Sequence, residues 1–384
     1  MGKDRGSTVV FERAVATIRS AGSATSRGEQ RHREGRGLHR LVDPKGFGAV
    51  RRSISWLEPK GKKFVLFRGT AMLEETRLDT TGSMGSNVEI AMKVLPKTNK
   101  LLAEVPGAVL GRYDTQMITS IFADVDDSYV LCRSQAEFDE RIAEQMTYMV
   151  PEGQGGDDDE DPQFGLFGAA YLTWSTAVEL GLRTYDFTIT DACGRNAKER
   201  RRPDLDYDKL REVFGQDVLD KVRENGHPMK EGQLPNTPEI VRDLLKTAHA
   251  FVLLVEPGTY VREYWQEIYG SERVVTIPQT ELLPAVKAAI IGLTEGTLTL
   301  QSVDRFLVDN AEIDTSDAKA IRRAVAHIPI GAQAALPNFK RIPMKGDLFA
   351  KKGDLWPIGS DVPDTAGAAK PKADKPGKPG GMWL

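Results

Sequence analysis

A short run of oxygen-bearing side chains between positions 79 and 86 is the stretch of this chain best suited to chemistry. A carboxylate and two hydroxyls alternate in it, at Asp79, Thr81 and Ser83, and two glycines let the backbone bend tightly there. An extended segment precedes the run and a helix-like pattern follows, so the three oxygens can converge where a strand gives way to a loop. Hard oxygen ligands with one full charge suit Mg²⁺, or Mn²⁺ in its place.

Two later stretches place carboxylates in comparable positions. A Gly-Gly-Asp sequence ends at Asp157, before a strongly apolar helix-like run, and further acidic residues follow it, so Asp158 is the alternative candidate. Asp191 follows the strand-like run 185–190. A carboxylate just past the end of a parallel strand lies where open α/β sheets bind their ligands.

In this order, the Asp-x-Thr-Gly-Ser run, the Gly-Gly-Asp sequence and Asp191 resemble the three metal loops of von Willebrand factor A (VWA) domains. The resemblance covers about residues 60–295. It implies an α/β fold with a doubly wound, mostly parallel, Rossmann-like sheet flanked by helices. It also implies a metal-ion-dependent adhesion site, in which Mg²⁺ or Mn²⁺ is held by five residues, the last two acting through water: Asp79, Thr81, Ser83, Asp157 and Asp191.

The resemblance further implies a function as an adaptor without enzymatic activity. The partner would offer an Asp or Glu carboxylate to the metal, within a larger intracellular assembly that commonly includes an AAA+ ATPase. Three further residues are candidates for partner contact. They are Arg195 and Arg200, in a basic stretch after the third loop, and Trp383, in the last three residues.

The segment before the metal run departs from the family pattern. A central parallel strand is normally almost continuously apolar, yet residues 74–77 read Glu-Glu-Thr-Arg. We expect either a polar element covering the sheet there or a partly buried pairing of Glu74 with Arg77. A second departure is Ala192 after the third-loop aspartate, where the family more often has glycine.

Composition is ordinary for a globular protein: 384 residues, 40% hydrophobic, 28% charged, formal charge −3. Nothing global points to nucleic acid or to an anionic membrane. Two cysteines give no disulfide scaffold, which favours a reducing cytoplasmic location. No apolar run is long enough to cross a bilayer, and the first residues lack the apolar core of a secretory signal.

The chain divides by composition into four parts. Residues 1–60 form a basic arm with 13 Lys and Arg against 6 Asp and Glu, expected to be partly disordered, most of all over 27–40. This arm is either a solvated tail, which we favour, or a binding arm for a polyanion or protein, and it is the only hint of nucleic acid. Residues 61–296 form the VWA-like domain, 297–358 a helical and irregular extension, and 359–384 a disordered tail.

Periodicity predicts the elements that position the metal loops. Strands are expected over 109–112, 117–125, 187–191, 251–255 and 273–277. Helices are expected over 86–105 (kinked at a proline), 135–149, 164–174, 206–224, 237–248, 260–269, 279–292, 302–308 and 316–327. This alternation is typical of a sheet with helices on both faces.

Two other functions remain open from the sequence. One is a metal-dependent phosphoesterase or nuclease that uses the same carboxylates, although such chemistry usually needs two metals or a positioned base. The other is a structural subunit tethered through its terminal arms. The chain has no P-loop, no Gly-x-Ser-x-Gly elbow and no His-Glu-x-x-His motif, and its five histidines are scattered.

Overall fold

The computed structural model describes residues 25–45, 51–53, 57–60, 63–66, 71–137, 141–151, 159–195, 204–227, 229 and 232–334. Its strands are β1 (Arg51–Ser53), β2 (Leu57–Lys60), β3 (Lys63–Leu66), β4 (Ala71–Asp79), β5 (Asp114–Phe122), β6 (Leu131–Arg133), β7 (Asp159–Glu160), β8 (Thr173–Ser175), β9 (Thr184–Thr190), β10 (Cys193–Gly194), β11 (Ala248–Leu254) and β12 (Val274–Thr276).

The α-helices follow the same chain order. They are α1 (Ser26–Arg33), α2 (Ser86–Val94), α3 (Arg141–Met146), α4 (Pro162–Tyr171), α5 (Thr176–Glu179), α6 (Tyr207–Phe214), α7 (Gln216–Glu224), α8 (Thr237–Thr247), α9 (Thr259–Tyr269), α10 (Leu283–Glu295), α11 (Leu300–Asn310) and α12 (Thr315–Ala324). Short 3₁₀ turns cover Gly82–Met84, Leu95–Lys97, Ser271–Arg273 and Thr280–Leu282, and a π-helical turn covers Lys100–Glu104.

A six-stranded sheet with the order β12-β11-β9-β4-β5-β6 forms the centre of the fold. Every neighbouring pair is parallel except β5 and β6, which are antiparallel. One face packs against α2, α10, α11 and α12, and the other against α4, α8 and α9, each through its own apolar cluster. The predicted α/β class, with a mostly parallel sheet flanked by helices, is therefore confirmed.

The central strand β4 is buried at all nine positions, its charged residues included. Glu74 is paired with Lys287 of α10, whose Nζ lies 2.9 Å from Oε1 of Glu74, and neither side chain is exposed. The Lys287 Nζ also donates to the hydroxyl of Thr76 at 2.6 Å. Of the two alternatives expected for residues 74–77, the pairing of Glu74 with Arg77 does not form, because residues three apart on a strand point to opposite faces.

On the other face of β4, two arginines neutralise two carboxylates. Arg77 donates to both oxygens of Asp186 on β9, and Arg133 of β6 donates to both oxygens of Glu75 at 2.9 Å. Helix α4 packs over Arg77 at Gly165, where a Cβ would lie 2.4 Å from the arginine Cδ. Glu74, Glu75 and Arg77 are thus accommodated in a central strand because each has an oppositely charged partner.

Several predicted elements have different bounds. Residues 109–112 form turns rather than a strand, and β5 begins only at Asp114. The helix predicted over 135–149 is α3 alone among the residues described there. The helix predicted over 206–224 is divided into α6 and α7 at Gly215, whose φ of +91° a helix cannot contain.

The segment 25–45 is packed on the domain, although its composition predicted mobility. The backbone N–H of Gly28 in α1 donates to the Thr147 carbonyl at 2.8 Å, and the ring of His39 stacks on Tyr148 with centroids 3.8 Å apart. Val42 is fully buried. These contacts with distant residues stabilise the segment, and they cannot be predicted from its charge and apolar content alone. No described helix is both long and apolar enough to cross a membrane.

Candidate functional site

The candidate site lies at the carboxyl ends of β4 and β9, which are neighbours in the middle of the sheet. Asp79 is the last residue of β4, and Asp191 directly follows β9. Strands β5 and β6, which follow β4 in the chain, lie on one side of it in the sheet. The later strands β9, β11 and β12 lie on the other side. Open α/β sheets bind ligands at such a reversal of strand order, because the loops leave a crevice there.

Hydrogen bonds join the four predicted ligands that the structure describes. Oδ1 of Asp79 accepts from the backbone N–H of Thr81 at 3.0 Å and from its hydroxyl at 2.7 Å. The hydroxyls of Thr81 and Ser83 are 3.3 Å apart, and the Ser83 hydroxyl donates to Oδ1 of Asp191 at 2.9 Å. The second oxygen of Asp79 accepts from the hydroxyl of Thr190 at 2.6 Å.

Local backbone geometry produces this convergence. After β4 the chain makes the 3₁₀ turn over 82–84, and Gly85, with φ of +49°, leads into α2. The turn brings the hydroxyls of Thr81 and Ser83 back toward the end of the strand. Asp79 and Thr81 are buried, Asp191 is half-buried and Ser83 is exposed, so the site runs from the interior to the surface.

A second acidic segment approaches the site from the other side. Strand β7 pairs in parallel with β10, and the backbone N–H of Arg195 donates to the Glu160 carbonyl at 2.7 Å. The Arg195 guanidinium binds Asp161 through Nε and Nη2, each at 2.7 Å, and its Nη2 lies 3.4 Å from Asp124. Glu160 is only 2% exposed and interacts with Thr81 and Asp124, with Asp79 near enough to repel its charge.

Burial controls the electrostatics of the site. Burial raises the pKa of Asp79 to about 6, although hydrogen bonds from Thr190 and Thr81 oppose the shift. Burial, with repulsion from Asp79 and Asp124, raises the pKa of Glu160 to about 10. Burial also raises the pKa of Asp191. In the part of the chain that the structure describes, no Lys or Arg is paired with Asp79 or Glu160, so burial keeps Glu160 protonated and neutral near pH 7 when no cation is bound.

These observations test whether the residues fit a cation. Among the described residues, no three His, Cys, Asp or Glu side chains form a group that could hold a metal ion. The site instead combines hydroxyls with carboxylates, and one buried oxygen of Glu160 has no hydrogen-bond partner. Hard oxygens and a buried oxygen without a hydrogen-bond donor both fit Mg²⁺ or Mn²⁺.

The remaining predicted site residues divide into two groups. Arg195 is at the site, but its guanidinium is engaged by Asp161. Asp157, with its alternative Asp158, lies outside the described residues, as do Arg200 and Trp383.

Sequence reasoning missed three residues that the structure brings to the site: Asp124, Glu160 and Thr190. Thr190 directly precedes Asp191, and its place as the last residue of a strand is a signal that could have been used. Glu160 belongs to a run of consecutive acidic residues, and the sequence does not show which of them reaches the site. The pairing of β7 with β10, a contact between distant parts of the chain, selects it.

Comparisons with known proteins add little. A scan against models of known protein families and a search of curated proteins each gave no match. Among solved structures, the pilus adhesin SpaC from Lactobacillus rhamnosus GG matches over 61% of this chain and 32% of that chain, at 13% identity and a TM-score of 0.32. The chain spans about a third of the length of that adhesin, and a likeness this low supports no argument about fold or function.

Proposed function

We propose that this chain is a VWA-like, metal-dependent protein-interaction module. Its partner would present an Asp or Glu carboxylate to Mg²⁺ or Mn²⁺ at the carboxyl end of the sheet. The observation that carries the proposal is the continuous hydrogen-bonded series Asp79, Thr81, Ser83 and Asp191, which comes from two different loops. The strand order, with its reversal between β4 and β9, also supports a doubly wound, Rossmann-like assignment.

Each residue has a separate part in the proposed binding. Asp79, buried beneath the loop, would give the cation its full negative charge, and Thr81 and Ser83 would add neutral oxygens. Asp191 would bind through water, as its hydrogen bond to Ser83 already places it at the surface side. When bound, the cation would supply an attachment point for an outside carboxylate, and neutral hydroxyl ligands would leave it enough positive charge to attract one.

A partner carboxylate would reach the site from the exposed side. Ser83 and the two flanking glycines of the loop are exposed, whereas Asp79 and Thr81 are not. Partner residues around the carboxylate would form the rim of the interface, which contributes specificity more than affinity. We further propose that the module acts as an adaptor inside a larger assembly, with an AAA+ ATPase as one candidate partner.

The test is partner capture with and without metal. The immobilised chain is exposed to a cell extract in Mg²⁺ or in EDTA, and retained proteins are compared by mass spectrometry for the unmodified chain and Asp79→Ala. Asp126→Ala is the matched control, because Asp126 is an exposed carboxylate in the neighbouring loop after β5. We expect a set of proteins held in Mg²⁺ by the unmodified chain and the control, and lost in EDTA and with Asp79→Ala. Equal retention by all three chains in both Mg²⁺ and EDTA would remove the metal from the mechanism.

A further inference from the structure

Glu160 is a buried carboxylate that no hydrogen bond or ion pair fully accounts for. Its side chain is 2% exposed, and its Oε2 has no hydrogen-bond partner. Leaving a buried polar atom unpaired costs free energy, and a buried carboxylate without a cation costs more. Such an oxygen calls for an explanation, and its surroundings supply one.

The neighbours of Glu160 are the inner residues of the proposed metal site. Its carboxyl group interacts with Thr81 and with Asp124, and Asp79 is close enough for their charges to repel. The side chain of Arg195, whose backbone N–H donates to the Glu160 carbonyl, is directed to Asp161 and Asp124 instead. The unpaired oxygen therefore belongs to a pocket of oxygen-bearing side chains, in which Arg195 pairs with Asp124 but no described Lys or Arg pairs with Glu160 or Asp79.

The backbone fixes Glu160 in this position. The parallel pairing of β7 with β10 sets Glu160 opposite Gly194, three residues beyond Asp191. Asp161, the next residue, accepts from Arg195 and from the backbone N–H of Val125 at 2.7 Å. The backbone pairing of Glu160 and the contacts of Asp161 thus fix the position of this segment before any cation is bound.

We propose that Glu160 is a direct ligand of the cation at this site, contributed by the second acidic loop. The inference rests on the proposed function and deepens it, since it adds a second carboxyl group beside Asp79 as a ligand. A site with two buried carboxylates retains its cation more firmly and draws a partner carboxylate less strongly than one carboxylate with hydroxyls would. Cation loading and partner capture thereby become separable properties.

The experiment measures Mn²⁺ binding by electron paramagnetic resonance in the full chain. The variants are Glu160→Gln, Asp79→Ala and, as the matched control, Asp126→Asn. We expect Glu160→Gln to weaken Mn²⁺ binding at least tenfold and the control to bind as the unmodified chain does. A weakening smaller than tenfold would overturn the proposal.

A second readout separates a ligand from a structural residue. In EDTA, the urea midpoint of Glu160→Gln is expected to equal or exceed that of the unmodified chain, since the amide relieves an unpaired buried carboxylate and can donate a hydrogen bond. Should Glu160→Gln fail to fold, Glu160→Asp, which keeps the charge but shortens the reach, is judged by the same tenfold criterion.

The outcomes distinguish this inference from the proposed function. If Asp79→Ala loses Mn²⁺ and Glu160→Gln retains it, only the role of Glu160 fails. If Glu160→Gln loses Mn²⁺ but partner capture does not depend on metal, the role of Glu160 stands and the proposed function fails. If the unmodified chain takes up no Mn²⁺, both fail.

Discussion

The buried carboxylates of this protein differ in whether a cation accompanies them. Glu74, Glu75 and Asp186 each lie against a Lys or Arg, and their ion pairs are internal to the sheet. Asp79 and Glu160 have no such partner among the described residues. Because an unpaired buried charge is costly, the second group indicates where the fold retains polar groups for something other than stability.

A histidine at the opposite end of the sheet has a buried ring nitrogen without a hydrogen-bond partner. His249 of β11 is 8% exposed, and its Nε2 has no hydrogen-bond partner. Burial lowers the pKa of His249 to about 4, Arg183 and Arg273 add to this shift, and Gln333 opposes it. The ring of Tyr185 stacks on it with centroids 5.5 Å apart. Its neutral form is therefore the one that the fold accommodates.

This histidine predicts acid sensitivity of the whole fold. Between pH 6.5 and 4 the unfolded chain binds a proton at His249 that the folded chain does not, so the free energy of unfolding falls as the pH falls. The loss from this group approaches roughly 3 kcal/mol and levels off below pH 4. His249→Gln should lose less stability over this interval than the unmodified chain, as measured by urea denaturation at pH 7 and pH 4. His32→Gln, at an exposed position, should behave as the unmodified chain; equal losses in all three would refute the assignment.

At the scale of secondary-structure elements, helix α4 packs on the face of the sheet that carries the buried arginines. Two glycines of α4, Gly165 and Gly168, face the guanidinium groups of Arg77 and Arg133. A Cβ at Gly165 would lie 2.4 Å from Cδ of Arg77, whereas a Cβ at Gly168 would meet only ordinary contacts of 3.5 Å with Arg133. The two positions therefore differ in the room they leave, although both are buried in the same helix.

That difference predicts opposite effects of one substitution. Gly165→Ala should destabilise the protein by about 2 kcal/mol or more, because it forces Arg77 away from Asp186 or shifts the helix. Gly168→Ala should be neutral or stabilising by up to about 1 kcal/mol, because alanine favours the helix and the site has space. Urea denaturation of the two variants measures both. Similar losses in the two would show that α4 does not close on Arg77 as described.

At the scale of the whole molecule, the C-terminal helices belong to the main core. The apolar faces of α11 and α12 lie in the same buried cluster as α10, through Val303, Leu307 and Ile321 among others. The sequence predicts these two helices as part of an extension over 297–358, because the pattern of strands and helices changes after residue 296. In the structure these two helices pack against α10 and share the apolar cluster that also contains residues of α2.

This continuity predicts cooperative unfolding. Leu307→Ala, at a fully buried position, should cost about 2–5 kcal/mol and shift a single transition seen together by circular dichroism and tryptophan fluorescence. Val308→Ala, at the adjacent position that is 39% exposed, should change stability by less than about 0.5 kcal/mol. Separate transitions by the two probes would mean that the C-terminal helices unfold as their own unit.

The sequence alone predicted most strands and helices of the central sheet and the residues of the first and third loops of the candidate site. Alternating strands and helices predicted the α/β class, and the positions of Asp79, Thr81, Ser83 and Asp191 followed from local patterns of strand, glycine and hydroxyl. Such features depend on neighbours a few residues apart, which periodicity records. Their convergence followed from the rule that parallel strands end at one edge of a sheet.

Tertiary structure decided the contacts between distant parts of the chain. It paired Glu74 with Lys287, more than two hundred positions away, and packed residues 25–45 against the domain. It also selected Glu160 from an acidic run, through the pairing of β7 with β10. These contacts depend on which surfaces meet in the folded chain. Local sequence patterns do not reveal them, because residues far apart in the sequence become neighbours with matching charge and volume only on folding.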